Sequence, residues 1–355
     1  MGAEAAVEPP PLLPPLLEVE DLTVRVPAGR GRLMTLVDGV SFAVRPREIL
    51  GLVGESGSGK SVSALAVMGL LDAPGAVIEG SVRFRGRELL GLRPREMRAL
   101  RGAEIAMVFQ DPMTALTPVH TIGWQIDEQI RAHRSVSGIG ARARTLDLLA
   151  AMGVPDPRRM AERYPHQLSG GLRQRAMIAM ALCCDPALLI ADEPTTALDV
   201  TVQAQILELL RRLRSEFSSA VLLITHDMGV VAETCDRTLV LYGGRMAESG
   251  PTGALFRQPA HPYTAGLLDS IPPLHGERPR KLFQIPGMPP SPGSRPAGCA
   301  FAPRCAHAHE PCAAPPPPLR EDGREVWCVL PAEGRALPPR SMPVVVPITI
   351  GGAPS

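Results

Sequence analysis

The residues from Gly54 to Ser61, read as Gly54-Glu55-Ser56-Gly57-Ser58-Gly59-Lys60-Ser61, have the types and spacing to hold a phosphate. Glycines let the chain curl so that successive backbone N–H groups face one anion, and a helix opening behind them adds its positive end. The pattern is G-x-x-x-x-G-K-S, a P-loop. Lys60 is placed to reach the β- and γ-phosphates of a nucleoside triphosphate, and the Ser61 hydroxyl to bind Mg²⁺. Gly54, Ser56, Gly57, Ser58, Gly59 and Val62 complete the expected contacts. Only two of the 37 basic residues are lysines, Lys60 and Lys281, which points to a task at 60 that a guanidinium cannot perform. Guanine-specific P-loops need Asn-Lys-x-Asp, and neither lysine follows an asparagine, so the expected nucleotide is ATP.

Hydrolysis needs a metal ligand and a base, and two acids stand together after the apolar run Ala187–Ala191. Asp192 is placed to hold Mg²⁺ through water, and Glu193, pointing elsewhere, to polarise the attacking water. Alone, such a pair is as readily a helix cap. Gln110 follows the apolar run ending at Phe109 and offers an amide to both metal and water. His226 follows the run Val221–Thr225, where it could meet a γ-phosphate oxygen. Each of these two is unremarkable in isolation; position after a buried strand is what marks it.

The elements that must carry these residues are legible from the same runs. Ile49–Val53, Ile105–Phe109, Ala187–Ala191 and Val221–Thr225 are short, apolar and abruptly ended, as strands buried on both faces are. Alternating with helical patterns, they predict an α/β fold with a mostly parallel sheet. Their polar ends, Gly54, Gln110, Asp192 and His226, should gather along the carboxyl edge, where open α/β sheets bind ligands. Val202, Ile206, Leu209, Leu210 and Leu213 recur at helical spacing and predict an amphipathic helix over 201–216. From Asp111 to about Cys184 the pattern is helical and interrupts the strands, predicting an inserted helical subdomain within a nucleotide-binding domain of 18–256. Residues 257–330 form a Pro-, Gly- and Cys-rich extension expected to be irregular, 331–355 a loose tail, and 1–17 a disordered leader.

The stretch Leu168-Ser169-Gly170-Gly171-Leu172-Arg173-Gln174-Arg175 resembles the signature motif of ATP-binding-cassette (ABC) ATPases, with Leu172 where many members have glutamine. Serine and two glycines at a helix start are a second anion-binding terminus in the same chain. The resemblance implies that Ser169, Gly170 and Gly171 face the γ-phosphate held by a partner subunit's P-loop, so that two ATP molecules are sandwiched in a dimer. It also covers Gln110, His226 and the segment Thr196-Ala-Leu-Asp199, which the family places at the subunit junction. Narrower features, Phe109-Gln-Asp-Pro-Met-Thr-Ala-Leu116, Arg173 to Leu182 and His261-Pro-Tyr-Thr264, resemble the oligopeptide/dipeptide/nickel importer ATPases. That branch implies a second ABC ATPase subunit, two membrane-spanning permease subunits and an extracytoplasmic substrate-binding protein. It also places the chain at the cytoplasmic face of the cell membrane, with peptide as the substrate and nickel or another small solute as the alternative. The helical insertion and the Gln110 region would meet the permease. One departure is Val26, which stands where family members stack adenine on an aromatic ring, an interaction worth about 0.5–1.5 kcal/mol beyond burial.

Cys299, Cys305, Cys312 and Cys328 lie in the extension, which has little else to bury. Four thiolates suit a 4Fe–4S cluster or structural Zn²⁺, with unliganded thiols as the remaining alternative. The spacing is wider than the Cys-x-x-Cys pairs of zinc ribbons, and Gly298 to Cys305 resembles the peptide-importer tail, in which some members carry a cluster. Cys183, Cys184 and Cys235 stand in apolar surroundings and read as core.

A formal net charge of +1 gives no electrostatic reason to expect nucleic acid as a partner. No run of about eighteen apolar residues is present, so a membrane role must be peripheral. One cassette without a long heptad run speaks against a non-transport ABC protein of DNA repair or translation.

Overall fold

The computed structural model describes residues 14–29, 31–196, 200–216, 219–271, 283–321 and 323–331. Residues 1–13 of the expected leader, 332–355 of the expected tail, and Asp199 lie outside the described residues. The strands are β1 (Leu17–Pro27), β2 (Leu33–Val44), β3 (Ile49–Val53), β4 (Val77–Phe84), β5 (Arg87–Glu88), β6 (Ile105–Val108), β7 (Leu188–Asp192), β8 (Ala220–Thr225), β9 (Arg237–Tyr242), β10 (Arg245–Pro251), β11 (Leu319–Glu321) and β12 (Arg324–Val326).

The larger sheet has the order β11-β12-β10-β9-β3-β8-β7-β6. Its centre, β9-β3-β8-β7-β6, is parallel throughout. The predicted strands are β3, β6, β7 and β8, each end within one residue of its expected place. They are apolar along their whole length because both faces are covered. Ile49, Val53, Leu189, Ala191, Val221 and Leu223 join the core under the helices, while Leu50, Leu52, Leu188, Ile190, Leu222 and Ile224 join a core on the opposite face.

That opposite face is covered by a second sheet, β2-β1-β4-β5, antiparallel throughout. The alternation of strands and helices did not predict it. The reason is a bulge: register shifts between Val19 and Leu22, so the buried apolar positions run 17, 19, 22, 24 and change parity midway. Asp21 adopts φ 49° there, and the bulge lies against Gly80, where a Cβ would come within 2.5 Å of the Glu20 carbonyl oxygen.

Between β6 and β7 come the helices Ile122–His133, Gly138–Ala151 and Gly170–Leu182 with shorter turns. Thr121, Ser137 and Ser169 start these three, each side chain accepting from a backbone N–H of the first turn. The helix Val200–Glu216 follows β7. The extension is more ordered than its Pro-rich composition predicts. It holds the helix Pro262–Asp269, and β12 pairs with β10, extending the larger sheet beyond its parallel centre.

Candidate active site

Strand β3 delivers the phosphate loop and the helix Lys60–Val67 receives it. The loop needs glycine at 54, where φ is 150° and a Cβ would lie 2.2 Å from the Leu241 carbonyl oxygen. Ser56 and Gly57 are exposed at the crest, and Gly59 and Val62 are half-buried. The Ser58 side chain turns beneath the loop against Gly54, its buried Oγ without a hydrogen-bond partner among the described residues. Lys60 is buried, and its ammonium donates to the carbonyl oxygens of Gly54 at 2.7 Å and Glu55 at 3.0 Å. Burial lowers its pKa, against the opposing pull of Glu193, Asp192 and Glu55. The net result is a cation held in the mouth of a loop of backbone donors, the charge pattern a polyphosphate requires.

Facing it is the end of β7. The Ser61 hydroxyl donates to Asp192 Oδ1 at 3.0 Å, joining residues 131 positions apart. Asp192 is 5 % exposed, and burial raises its pKa despite the Ser61 bond and Lys60. A hydroxyl and a carboxylate on facing elements are hard oxygen ligands of the kind Mg²⁺ takes.

Glu193 adopts φ 48°, a left-handed backbone that costs a non-glycine residue about 1–3 kcal/mol. Its N–H is fixed by the Ile224 carbonyl oxygen of β8 at 2.8 Å. Gln110 Nε2 donates to its Oε2 at 3.1 Å, Thr196 Oγ1 to the same oxygen at 2.9 Å, and His226 Nδ1 lies 3.1 Å from Oε1. Burial pushes the Glu193 carboxyl upward, but the bonds from His226 and Thr196 and the Lys60 charge outweigh it and leave the pKa below the ordinary range. Ionised, partly desolvated and aimed by three side chains, it has the properties of a general base. Gln110, Asp192, Glu193 and His226 therefore meet at one edge, together with Ser61.

Ser169, Gly170 and Gly171 do not join them. Ser169 Oγ accepts from Leu172 N–H at 3.4 Å, and Ser169 and Gly170 are exposed. Among the described residues no hydrogen bond or ion pair links this turn to the phosphate loop or to Glu193. Its helix is nonetheless tied to the acidic turn, since Gln174 Nε2 donates to the Pro194 carbonyl oxygen at 2.6 Å. Val26 is paired with Met34 across β1 and β2.

Cys299, Cys305, Cys312 and Cys328 line one small cavity with His261, Phe301 and His307. The Cys299 N–H donates to the Cys312 carbonyl oxygen at 2.9 Å, and burial raises the Cys299 and Cys305 thiols. Among the described residues, no three His, Cys, Asp or Glu side chains are grouped closely enough to hold a metal ion. The expected ligand set thus lines one cavity, without forming a metal-holding group among the described residues. Cys183, Cys184 and Cys235 are buried in the core.

Sequence reasoning missed three residues. Thr196 was read only as part of a junction segment; its role follows from the tight turn after Glu193. Tyr263 and Arg304, noticed only inside motifs, reach Glu55 of the phosphate loop from more than 200 residues away.

Residues 37–196 match the ABC transporter family, and 247–312 match the oligopeptide/dipeptide transporter C-terminal region. The dipeptide transport ATP-binding protein DppD of Escherichia coli is 47 % identical over 325 residues, covering 91 % of this chain and 99 % of that one. A Brucella abortus protein named for peptide import and ATP binding is 53 % identical over 303 residues, covering 85 % and 91 %. Among solved structures, a dimeric post-hydrolysis state of the ATP-binding cassette MJ0796 with ADP and Pi bound is similar at TM-score 0.61 and 28 % identity, covering 66 % of this chain and 98 % of that one. Similarity along nearly the whole of these relatives, on a fold that assembles the P-loop, the paired acids and the signature helix, identifies the chain as a member of the ABC transporter ATP-binding protein family, in the branch bearing the oligopeptide/dipeptide transporter C-terminal region.

Proposed function

We propose that the chain is the ATP-hydrolysing subunit of a peptide importer, and that Glu193 is its general base. The observation that carries the reading is the set of three side chains, Gln110, Thr196 and His226, converging on one ionised carboxylate beside the Ser61–Asp192 pair. Lys60 and the backbone of 54–61 bind the β- and γ-phosphates. Ser61, Asp192 and Gln110 would hold Mg²⁺, which neutralises phosphate charge when bound. Glu193 accepts a proton from water as that water's oxygen attacks the γ-phosphorus; the bond from that phosphorus to the β–γ bridging oxygen breaks, and ADP and inorganic phosphate leave. His226 keeps the carboxylate aimed while standing near the γ-phosphate.

The exposed turn at Ser169, Gly170 and Gly171 serves a partner's nucleotide. Its separation from the phosphate loop within one chain supports a site completed only by a second ABC ATPase subunit; Asp199 would lie at that junction. Two permease subunits and an extracytoplasmic substrate-binding protein complete the transporter at the cytoplasmic face of the membrane. The names of the relatives favour peptides over nickel as cargo.

The four-cysteine cavity is the place for a 4Fe–4S cluster. Structural zinc, which four thiolates would hold at Zn–S distances of about 2.3 Å, is the alternative. Iron and sulfide assays on anaerobically purified protein, with zinc measured alongside, distinguish the two.

Replacing Glu193 by Gln tests the catalytic assignment. Turnover should fall by about two to four orders of magnitude, while ATP binding persists and an ATP-bound dimer accumulates on gel filtration. Wild-type turnover in that variant removes Glu193 from the role.

A further inference from the structure

Glu55 is the second residue of the phosphate loop, and the groups that hold it come from the C-terminal extension. Arg304 donates from Nη1 to Glu55 Oε2 at 2.6 Å and from Nη2 to Oε1 at 3.2 Å, a bidentate pair. The rest of the guanidinium is also engaged: Nε with the Pro286 carbonyl oxygen at 2.8 Å, Nη1 with the Tyr242 hydroxyl at 3.1 Å, and Nη2 with the Ile285 carbonyl oxygen at 3.2 Å. Its side chain is 5 % exposed. Burial opposes the charge, yet Glu55 and Tyr242 hold the guanidinium pKa above its ordinary value.

The backbone of Glu55 is gripped as well. Its N–H donates to the Tyr263 hydroxyl at 2.8 Å, and Tyr263 is wholly buried, with Tyr242 and Phe301 at centroid distances of 4.5 and 5.3 Å. On its other side, the Glu55 carbonyl oxygen accepts from the Lys60 ammonium at 3.0 Å. One residue thus links the extension to the phosphate-binding amine. Arg304 ends the turn Ala302–Arg304, directly before Cys305, so the loop that carries two of the four cysteines also sets where the guanidinium sits.

We propose that Arg304, with Tyr263, is a positioning residue for nucleotide binding: it holds Glu55 from the cysteine-bearing extension and keeps the phosphate loop in its binding shape before ATP arrives. Neither side chain touches the reacting atoms. Their effect falls on the ordering that binding would otherwise require, so it appears in affinity rather than in the chemical step. The inference rests on the phosphate-loop reading of residues 54–61.

The test is the Kd for ATP of the full-length chain by titration calorimetry, with turnover of the same preparations at saturating ATP. Arg304→Gln and Glu55→Gln should each raise Kd about tenfold, and the double variant should be no weaker than either within about twofold, because both break one link. Arg304→Lys keeps the charge but loses the fork and should fall between. Tyr263→Phe should raise Kd a few-fold with turnover nearly unchanged. A purely structural role would lower the thermal midpoint and leave Kd of the folded protein in place; that result, or independent losses multiplying in the double variant, overturns the proposal. If Arg304→Gln does not fold, unchanged Kd in both Tyr263→Phe and Glu55→Gln overturns it equally. Lys60→Ala separates the two readings. Lost binding there beside a normal Kd in Arg304→Gln removes only the positioning role, whereas intact binding in Lys60→Ala removes the phosphate-loop reading beneath it.

Discussion

The Gln110 amide donates to Glu193 Oε2 across 3.1 Å, although the two residues are 83 positions apart. Gln110 follows β6 and Glu193 follows β7, neighbouring parallel strands, so the sheet register itself brings them together. Thr196 reaches the same oxygen from within the turn, and His226 the other oxygen from the end of β8. A carboxylate carried on a left-handed residue is thereby fixed in direction from three sides.

The donors around Glu193 set the pH at which it works. His226 and Thr196 stabilise the carboxylate and keep its pKa below the ordinary range against burial. Removing one makes the acid form easier to reach, so the pKa rises. Thr196→Val should therefore shift the acid limb of the kcat/KM profile to higher pH and lower turnover by about tenfold at most, since the base itself remains. A profile superimposable on that of the wild type would show that Thr196 does not act on Glu193.

Asp192 has the opposite sign. Burial raises its pKa, so it takes up a proton at a higher pH than an ordinary aspartate near 3.9. Metal binding needs the ionised form. The affinity for Mg²⁺ with ATP should weaken as the pH falls, and earlier than for an unperturbed carboxylate. Titrating Mg²⁺ affinity at fixed ATP between about pH 4 and 7 measures it; Asp192→Asn should bind Mg²⁺ weakly at every pH.

Gly54 is held by backbone rather than by chemistry. A Cβ there would lie 2.2 Å from the Leu241 carbonyl oxygen on a residue with φ 150°. Gly54→Ala should cost about 3 kcal/mol or more, read as a lower midpoint in chemical denaturation. Gly57, where nothing among the described residues lies within 4 Å of an added Cβ, is the control: alanine there meets the strain of φ 77° and should cost less.

Much of this was visible in the residues themselves. The P-loop, the acidic pair and the Ser-Gly-Gly turn are local patterns, because each depends on backbone conformation over fewer than about ten residues. The parallel strands were legible because strands covered on both faces must be apolar at every position. The second sheet was not, because a bulge at Glu20 and Asp21 breaks the alternation that would announce it. The order of the extension was hidden for a different reason: β12 has only three residues and becomes a strand by finding β10.

What the sequence alone determined is which groups are present to bind a triphosphate, ligate a metal and activate water, since those properties belong to residue types at short spacing. What only the tertiary structure decided is which group is aimed at which. Thr196 on Glu193, and Arg304 and Tyr263 on Glu55, are contacts between atoms that packing brings together. Distance along the chain carries no information about them, because the sheet, and not the order of residues, sets what lies within hydrogen-bond reach.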